Sequence, residues 1–108
     1  MNIFSEKDWK LFRSKIADWQ EAYMEKLNGE YIELLSGEGD ASEKFWTLEK
    51  RIRHDKKDCG VQCEMSRSNQ FHIMLSLLNE GAITLEDLSD FSEEVQETMK
   101  HFYELRDR

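Results

Sequence analysis

Residues 5–36 read SEKDWKLFRSKIADWQEAYMEKLNGEYIELLS, and the spacing of their apolar residues decides the fold. Trp9, Phe12, Ile16, Trp19, Tyr23, Leu27, Tyr31 and Leu34 make seven steps over 25 residues. That is about 3.6 residues per step, the period of a straight α-helix. Ser5 opens the run as an N-cap, and Asp8 can reach back to it as a capping-box acid. The stripe crosses Asn28-Gly29, where glycine costs about 1 kcal/mol relative to alanine. One long helix is therefore predicted over residues 6–36, with Gly29 the point at which it could bend. Ser36-Gly37-Glu38-Gly39-Asp40 ends it, because two close glycines favour irregular backbone.

Asp40 and Ser42 are N-cap candidates for a second helix, with Glu43 the box acid for Asp40. Phe45, Leu48, Glu49 and Ile52 mark its expected inner face, with Trp46 beside it. Lys44, Lys50, Arg51, Arg53, Lys56 and Lys57 form the expected outer face. Cations near the C-terminal end suit the helix dipole, and the helix is predicted to run to Lys57. Val61, Cys63 and Met65 then alternate with polar residues, which predicts an extended stretch over residues 58–65.

Ser66 or Ser68 is the predicted cap of a third helix that ends before Gly81. Phe71, Met74, Leu75 and Leu78 face inward, and Ile73 and Leu77 widen the apolar stripe into most of the surface. Such a helix belongs at the centre of a core. Gly81 provides a C-terminal cap, Thr84 an N-cap and Asp87 its box acid, with Ile83 as the apolar plug of the corner. A last helix runs through Leu88, Phe91, Val95, Met99 and Phe102, with Ser92 a possible restart. Arg106-Asp107-Arg108 is expected to fray. The expected fold is all-α, a small antiparallel bundle of four to five helices with one long N-terminal helix, forming a single domain over residues 1–108. Its predicted inner residues are Phe12, Ile16, Trp19, Phe45, Leu48, Ile52, Phe71, Met74, Leu75, Leu78, Leu88, Val95 and Met99.

The formal charge is −8, from 23 acidic and 15 basic side chains, opposite to the balance of most nucleic-acid binders. It is unevenly spread: −5 over residues 1–43, +3 over 44–67 and −6 over 68–108. A basic middle between acidic thirds reads first as internal or intersubunit charge matching. Glu6, Lys7 and Asp8 interrupt any apolar signal core near the start, and the longest apolar cluster, Ile73–Leu78, is far short of the ~20 residues that span a bilayer. A cytoplasmic protein with Cys59 and Cys63 as reduced thiols is expected.

Specific chemistries find little support in the spacing. Cys59 and Cys63 are a lone C-x3-C pair, whereas zinc sites need four converging ligands. The pair also follows the end of a helix, where the dipole opposes thiolate formation. His54 and Asp55 point about 100° apart as helix neighbours, and no strained nucleophile turn such as G-x-S-x-G occurs. No catalytic residue, metal or cofactor is expected. Ser66-Arg67-Ser68-Asn69 at a helix start can cradle an anion, and Arg67 paired with an internal carboxylate is the plainer reading. The residues after the Gly81 corner are Glu86, Asp87, Asp90, Glu93, Glu94 and Glu97, which phosphates would repel, so this is no DNA-reading turn.

The stretch Lys44-Phe45-Trp46-Thr47-Leu48-Glu49-Lys50-Arg51-Ile52, with Gly60-Val61, Ser66-Arg67-Ser68, residues Gly81 to Leu88 and Phe91-Ser92, resembles a group of short uncharacterised proteins of Firmicutes bacteria. The resemblance covers about 60 of the 108 residues. It implies a cytoplasmic helical domain with no assigned activity, and it supplies no catalytic or binding residues.

The residues favour a small, non-enzymatic protein–protein interaction module, most simply a homodimer, with a heterologous protein partner as the other form of the same reading and no membrane contact expected. A 30-residue helix runs ~45 Å, longer than the remaining helices can cover in a compact domain of ~13 Å radius of gyration. Trp9, Phe12, Trp19, Tyr23 and Tyr31 on its stripe are of the types enriched at interfaces. The alternative is a nucleic-acid accessory protein: Lys44, Arg51, Lys56 and Lys57 on phosphates, with Ser66, Arg67 and Ser68 nearby, or the acidic thirds acting as a DNA mimic.

Overall fold

The computed structural model describes residues 3–106. Its elements are α1 (Glu6–Ser36), α2 (Ala41–Asp55), α3 (Gln70–Glu80), a 3₁₀ turn at Leu85–Leu88 and α4 (Glu93–Leu105). The described residues contain no strand, and the fold is all-helical with a long N-terminal helix, as the periodicity predicts. Of the expected frayed tail, Asp107 and Arg108 lie outside the described residues.

The capping box at the start of α1 is formed: Ser5 Oγ accepts from Asp8 N–H, and Asp8 Oδ2 accepts from Ser5 N–H, both at 3.0 Å. The helix passes through Gly29 without a break. At ~1.5 Å per residue its 31 residues span about 46 Å, which sets the 51 Å long axis and the 16.3 Å radius of gyration of the molecule. After Gly37 to Asp40, α2 returns antiparallel along the far half of α1.

The core gathers at the other end. Phe12, Met74, Leu77, Leu88, Val95 and Met99 are fully buried, joined by Phe4, Trp9, Ile16, Ile73, Leu78, Ile83 and Phe91. Burying one side chain such as Phe12 stabilises by roughly 1.5–3 kcal/mol. Gly81 adopts φ +79°, the left-handed conformation that lets Ala82 and Ile83 donate back to the Leu77 carbonyl at 2.9 and 3.3 Å. Ile83 then plugs the corner as expected. Thr84 and Asp87 form their capping box over a 3₁₀ turn only, and Ser92 restarts the chain as the cap of α4.

Several expectations are corrected. Phe45 and Ile52 are not inner residues but are 62% and 38% exposed, and Leu48 is only half-buried. The physical reason is that α2 packs chiefly on α1 and turns Arg51 and the buried Asp55 towards it, not its most apolar side. Arg51 is therefore on the α1 side, not the outer face. Trp19, Phe71 and Leu75 are half-buried at the core margin, while Ile73 and Leu77 join the expected Met74 and Leu78 as the buried apolar α3 positions. Asp40 is the N-cap of α2 but forms no side-chain cap. The helix ends at Asp55, and residues 58–65 are turn followed by irregular chain. The N-cap of α3 is Asn69, while Ser66 Oγ accepts from Asn69 N–H at 3.2 Å in the turn before it.

Candidate functional site

The distal hairpin is held by polar contacts. Tyr31 O–H donates to Asp55 Oδ2 at 2.6 Å, Arg51 Nε forms an ion pair with the same oxygen at 3.1 Å, and Arg51 also pairs with Glu30. The Arg51 guanidinium lies 5.6 Å from the Tyr31 ring centre. Burial works against charge on Asp55, but the hydrogen bonds from Tyr31 and His54 and the charge of Arg51 outweigh it and hold the carboxyl below its usual range. Burial and the bond to Asp55 push the Tyr31 phenol up to about 12.

The loop after α2 is fixed to both neighbours. Tyr23 O–H donates to Asp58 Oδ2 at 2.7 Å, and Gly60 lies flat against the Tyr23 ring. Gln20 Nε2 donates to the Cys59 carbonyl at 2.9 Å. Glu80, at the end of α3, accepts from Cys59 and Gly60 N–H, both at 3.0 Å. Burial pushes the Cys59 and Cys63 thiols up, which disfavours the nucleophilic thiolate. Among the described residues no three His, Cys, Asp or Glu side chains converge as a metal site would require.

The other side of the hairpin is open. A hollow of about 400 Å³ is lined by Phe45, Leu48, Glu49, Ile52, Arg53 and Lys56. An adjoining one of about 280 Å³ is walled by Met24, Leu27, Asn28 and Tyr31 on α1, by Ile52, Asp55 and Lys56, and by Val61 below. Sharing Ile52 and Lys56, they make one mostly apolar groove along α2, which the smaller hollow extends across to α1. Leu35, towards the hairpin tip on α1, is 46% exposed.

The sequence places the interaction surface elsewhere. Trp9, Phe12 and Tyr23 are buried within the chain, and Trp19 and Tyr31 are half-buried. α3, α4 and the 3₁₀ turn cover the near end of the α1 stripe, and α2 with its following loop covers part of the far end, which corrects the expectation that the stripe overhangs into solvent. The apolar side left open is mainly that of α2. Its signal was visible as Ala41, Phe45, Leu48 and Ile52, spaced four, three and four apart; Met24, Tyr31 and Leu35 repeat that rhythm more faintly on α1.

The candidate anion-binding residues are not brought together. Arg51 pairs with Glu30 and Arg67 with Glu6, 24 positions apart on α1, or ~36 Å at 1.5 Å per residue. Lys44, Arg51, Lys56 and Lys57 thus belong to one end of the rod and Ser66, Arg67 and Ser68 to the other. Arg67 stacks over Trp9, 5.3 Å from the ring centre, and Ser66 and Ser68 hydrogen-bond each other at 3.2 Å. No described helix is long and apolar enough to cross a membrane. Compared with protein families, curated proteins and solved structures, the chain matches none.

Proposed function

We propose that this chain is a small, non-enzymatic interaction module that works as a homodimer, using the open side of the α1–α2 hairpin. One observation carries the reading: Phe45 is 62% and Ile52 38% exposed at the mouth of the groove, with Leu35 46% exposed towards the hairpin tip. Contiguous apolar surface of this kind on a soluble chain marks an interaction site. A two-helix hairpin also leaves half of a helical bundle unbuilt, and helices from a second chain complete it at low cost in new structure. The reading includes a cytoplasmic location, as the resemblance above implies.

Phosphate binding fits the geometry less well. Arg51, Arg53 and Arg67 each hold a carboxylate of this chain, so the groups best suited to phosphate are engaged. Light scattering on the purified protein tests the reading. The expected mass at micromolar concentration is twice 12.9 kDa, and a constant single-chain mass up to high micromolar concentration overturns it.

A further inference from the structure

We infer that the second copy sits antiparallel on α2, about a two-fold axis passing between Leu48 and Glu49, so that two hairpins close into a four-helix bundle. The inference rests on the self-association proposed above and adds which surface meets which. The groove has no separate apolar counterpart of its own size among the described residues. Trp46, packed edge-on against Phe45 at 5.0 Å between ring centres, adjoins the same surface, and the remaining exposed large hydrophobics are the scattered Ile32 and Leu105. The best complement to the Phe45–Ile52 surface is therefore the same surface on another chain, and contact between identical patches closes with two-fold symmetry.

Charge then selects the direction. The N-terminal end of the hairpin's second arm is acidic on balance, with Glu38, Asp40 and Glu43 all exposed against the half-buried Lys44. Its C-terminal end is basic, with Lys56 and Lys57 exposed beyond the internally paired Arg53. A parallel pairing stacks like charge on like at both ends. The antiparallel one lays Asp40 near the partner's Lys57 and Ala41 against the partner's Lys56, and it opposes the two helix dipoles. In this register Phe45 meets the partner's Ile52, and Leu48 the partner's Glu49. Glu49 enters that centre already neutralised, because Arg53 one turn on binds both of its oxygens, with Nε to Oε2 at 2.9 Å. Arg53 and Glu49 are thus a pair that can approach its own copy without two bare carboxylates facing each other.

Disulfide trapping tests the direction. In a chain carrying Cys59→Ser and Cys63→Ser, Ala41→Cys and Lys56→Cys are made separately and oxidised alone and mixed. Cross-linked dimer is expected from the mixture, at least tenfold over either variant alone. Cross-linking of Ala41→Cys or Lys56→Cys with itself indicates a parallel pair and overturns the inference, as does the absence of any cross-link from a sample whose light-scattering mass is that of two chains. In both cases self-association itself still stands. A wild-type chain that stays at 12.9 kDa removes both. Phe45→Asp, a change at an exposed position, is expected to return the mass to one chain with an unchanged circular dichroism spectrum; an undiminished dimer places the contact elsewhere.

Discussion

The carboxylate of Asp8 is tied to Ser92, 84 positions further along the chain: Ser92 N–H donates to Oδ1 at 2.9 Å and its hydroxyl to Oδ2 at 2.8 Å. Ser5 N–H and Oγ donate to the same Oδ2, each at 3.0 Å. One buried acid therefore joins the cap of α1 to the cap of α4 and fixes the angle at which the two helices start.

Asp8→Ala is expected to cost about 2–3 kcal/mol, because it removes charge-assisted bonds and leaves the Ser92 donors unpaired. Burial raises the Asp8 pKa, but the bonds from Ser92 and Ser5 outweigh it, so the folded value lies below the ordinary one. The ionised form thus favours the folded state. Its contribution is present above about pH 4 and is lost as pH falls through the folded value. Urea titrations between neutral pH and pH 3 should show a shallower acid loss for Asp8→Asn than for wild type; equal slopes refute this role.

Tyrosine behaves in the opposite sense. Tyr31 is pushed up to about 12 and Tyr23 is raised as well, in both cases by burial first and then by a carboxylate acceptor, Asp55 or Asp58. Because the folded values exceed the unfolded one of about 10, this stabilisation is complete below that pH and is lost as pH rises towards 12. Tyrosinate absorbance should show two tyrosines, Tyr23 and Tyr31, titrating later than the ordinary value. Tyr31→Phe should remove one delayed step.

Gly60 has no room for a side chain. A Cβ there would stand 2.8 Å from Tyr23 Cγ and Cε2, and closer to Cδ2. Gly60→Ala is expected to cost about 1–3 kcal/mol as overpacking. Tyr23→Leu in the same chain should recover part of that loss in thermal unfolding, whereas strictly additive losses would place the conflict elsewhere.

Two phenylalanines should respond differently. Phe12 is fully buried and Phe45 is 62% exposed. Phe12→Ala is expected to cost about 3–5 kcal/mol of stability, and Phe45→Ala under about 1 kcal/mol in dilute protein. Denaturant midpoints measured where the chain is monomeric separate the two.

Helices were legible where periodicity and caps agreed. The α1 stripe, the Ser5–Asp8 box, Gly81 and the Thr84–Asp87 box all act as their residue types require. What the sequence obscured was which neighbour each face meets. α2 has a strong apolar stripe, and the natural inference is that such a stripe points inward. The pairing of Tyr31 with Asp55 and of Glu30 with Arg51 draws the polar side towards α1 instead, and no local pattern announces contacts between residues more than twenty positions apart. The same blindness put Trp9, Phe12 and Tyr23 on an interface when the chain itself buries them. Basic groups in the middle of the sequence do meet acids of the first third, at Arg51–Glu30 and Arg67–Glu6, as the uneven charge suggested.

α1 belongs to two environments, apolar core along its first half and a polar-tied hairpin along its second. One continuous helix should consequently show a gradient of amide protection. The N–H groups near Ile16 exchange only when the core opens, and those beyond Leu27 exchange through a smaller local opening that peels α2 away. A second chain bound to the hairpin would slow the far end alone, in proportion to protein concentration, so the tip of a single helix would report on association while its base reported on folding.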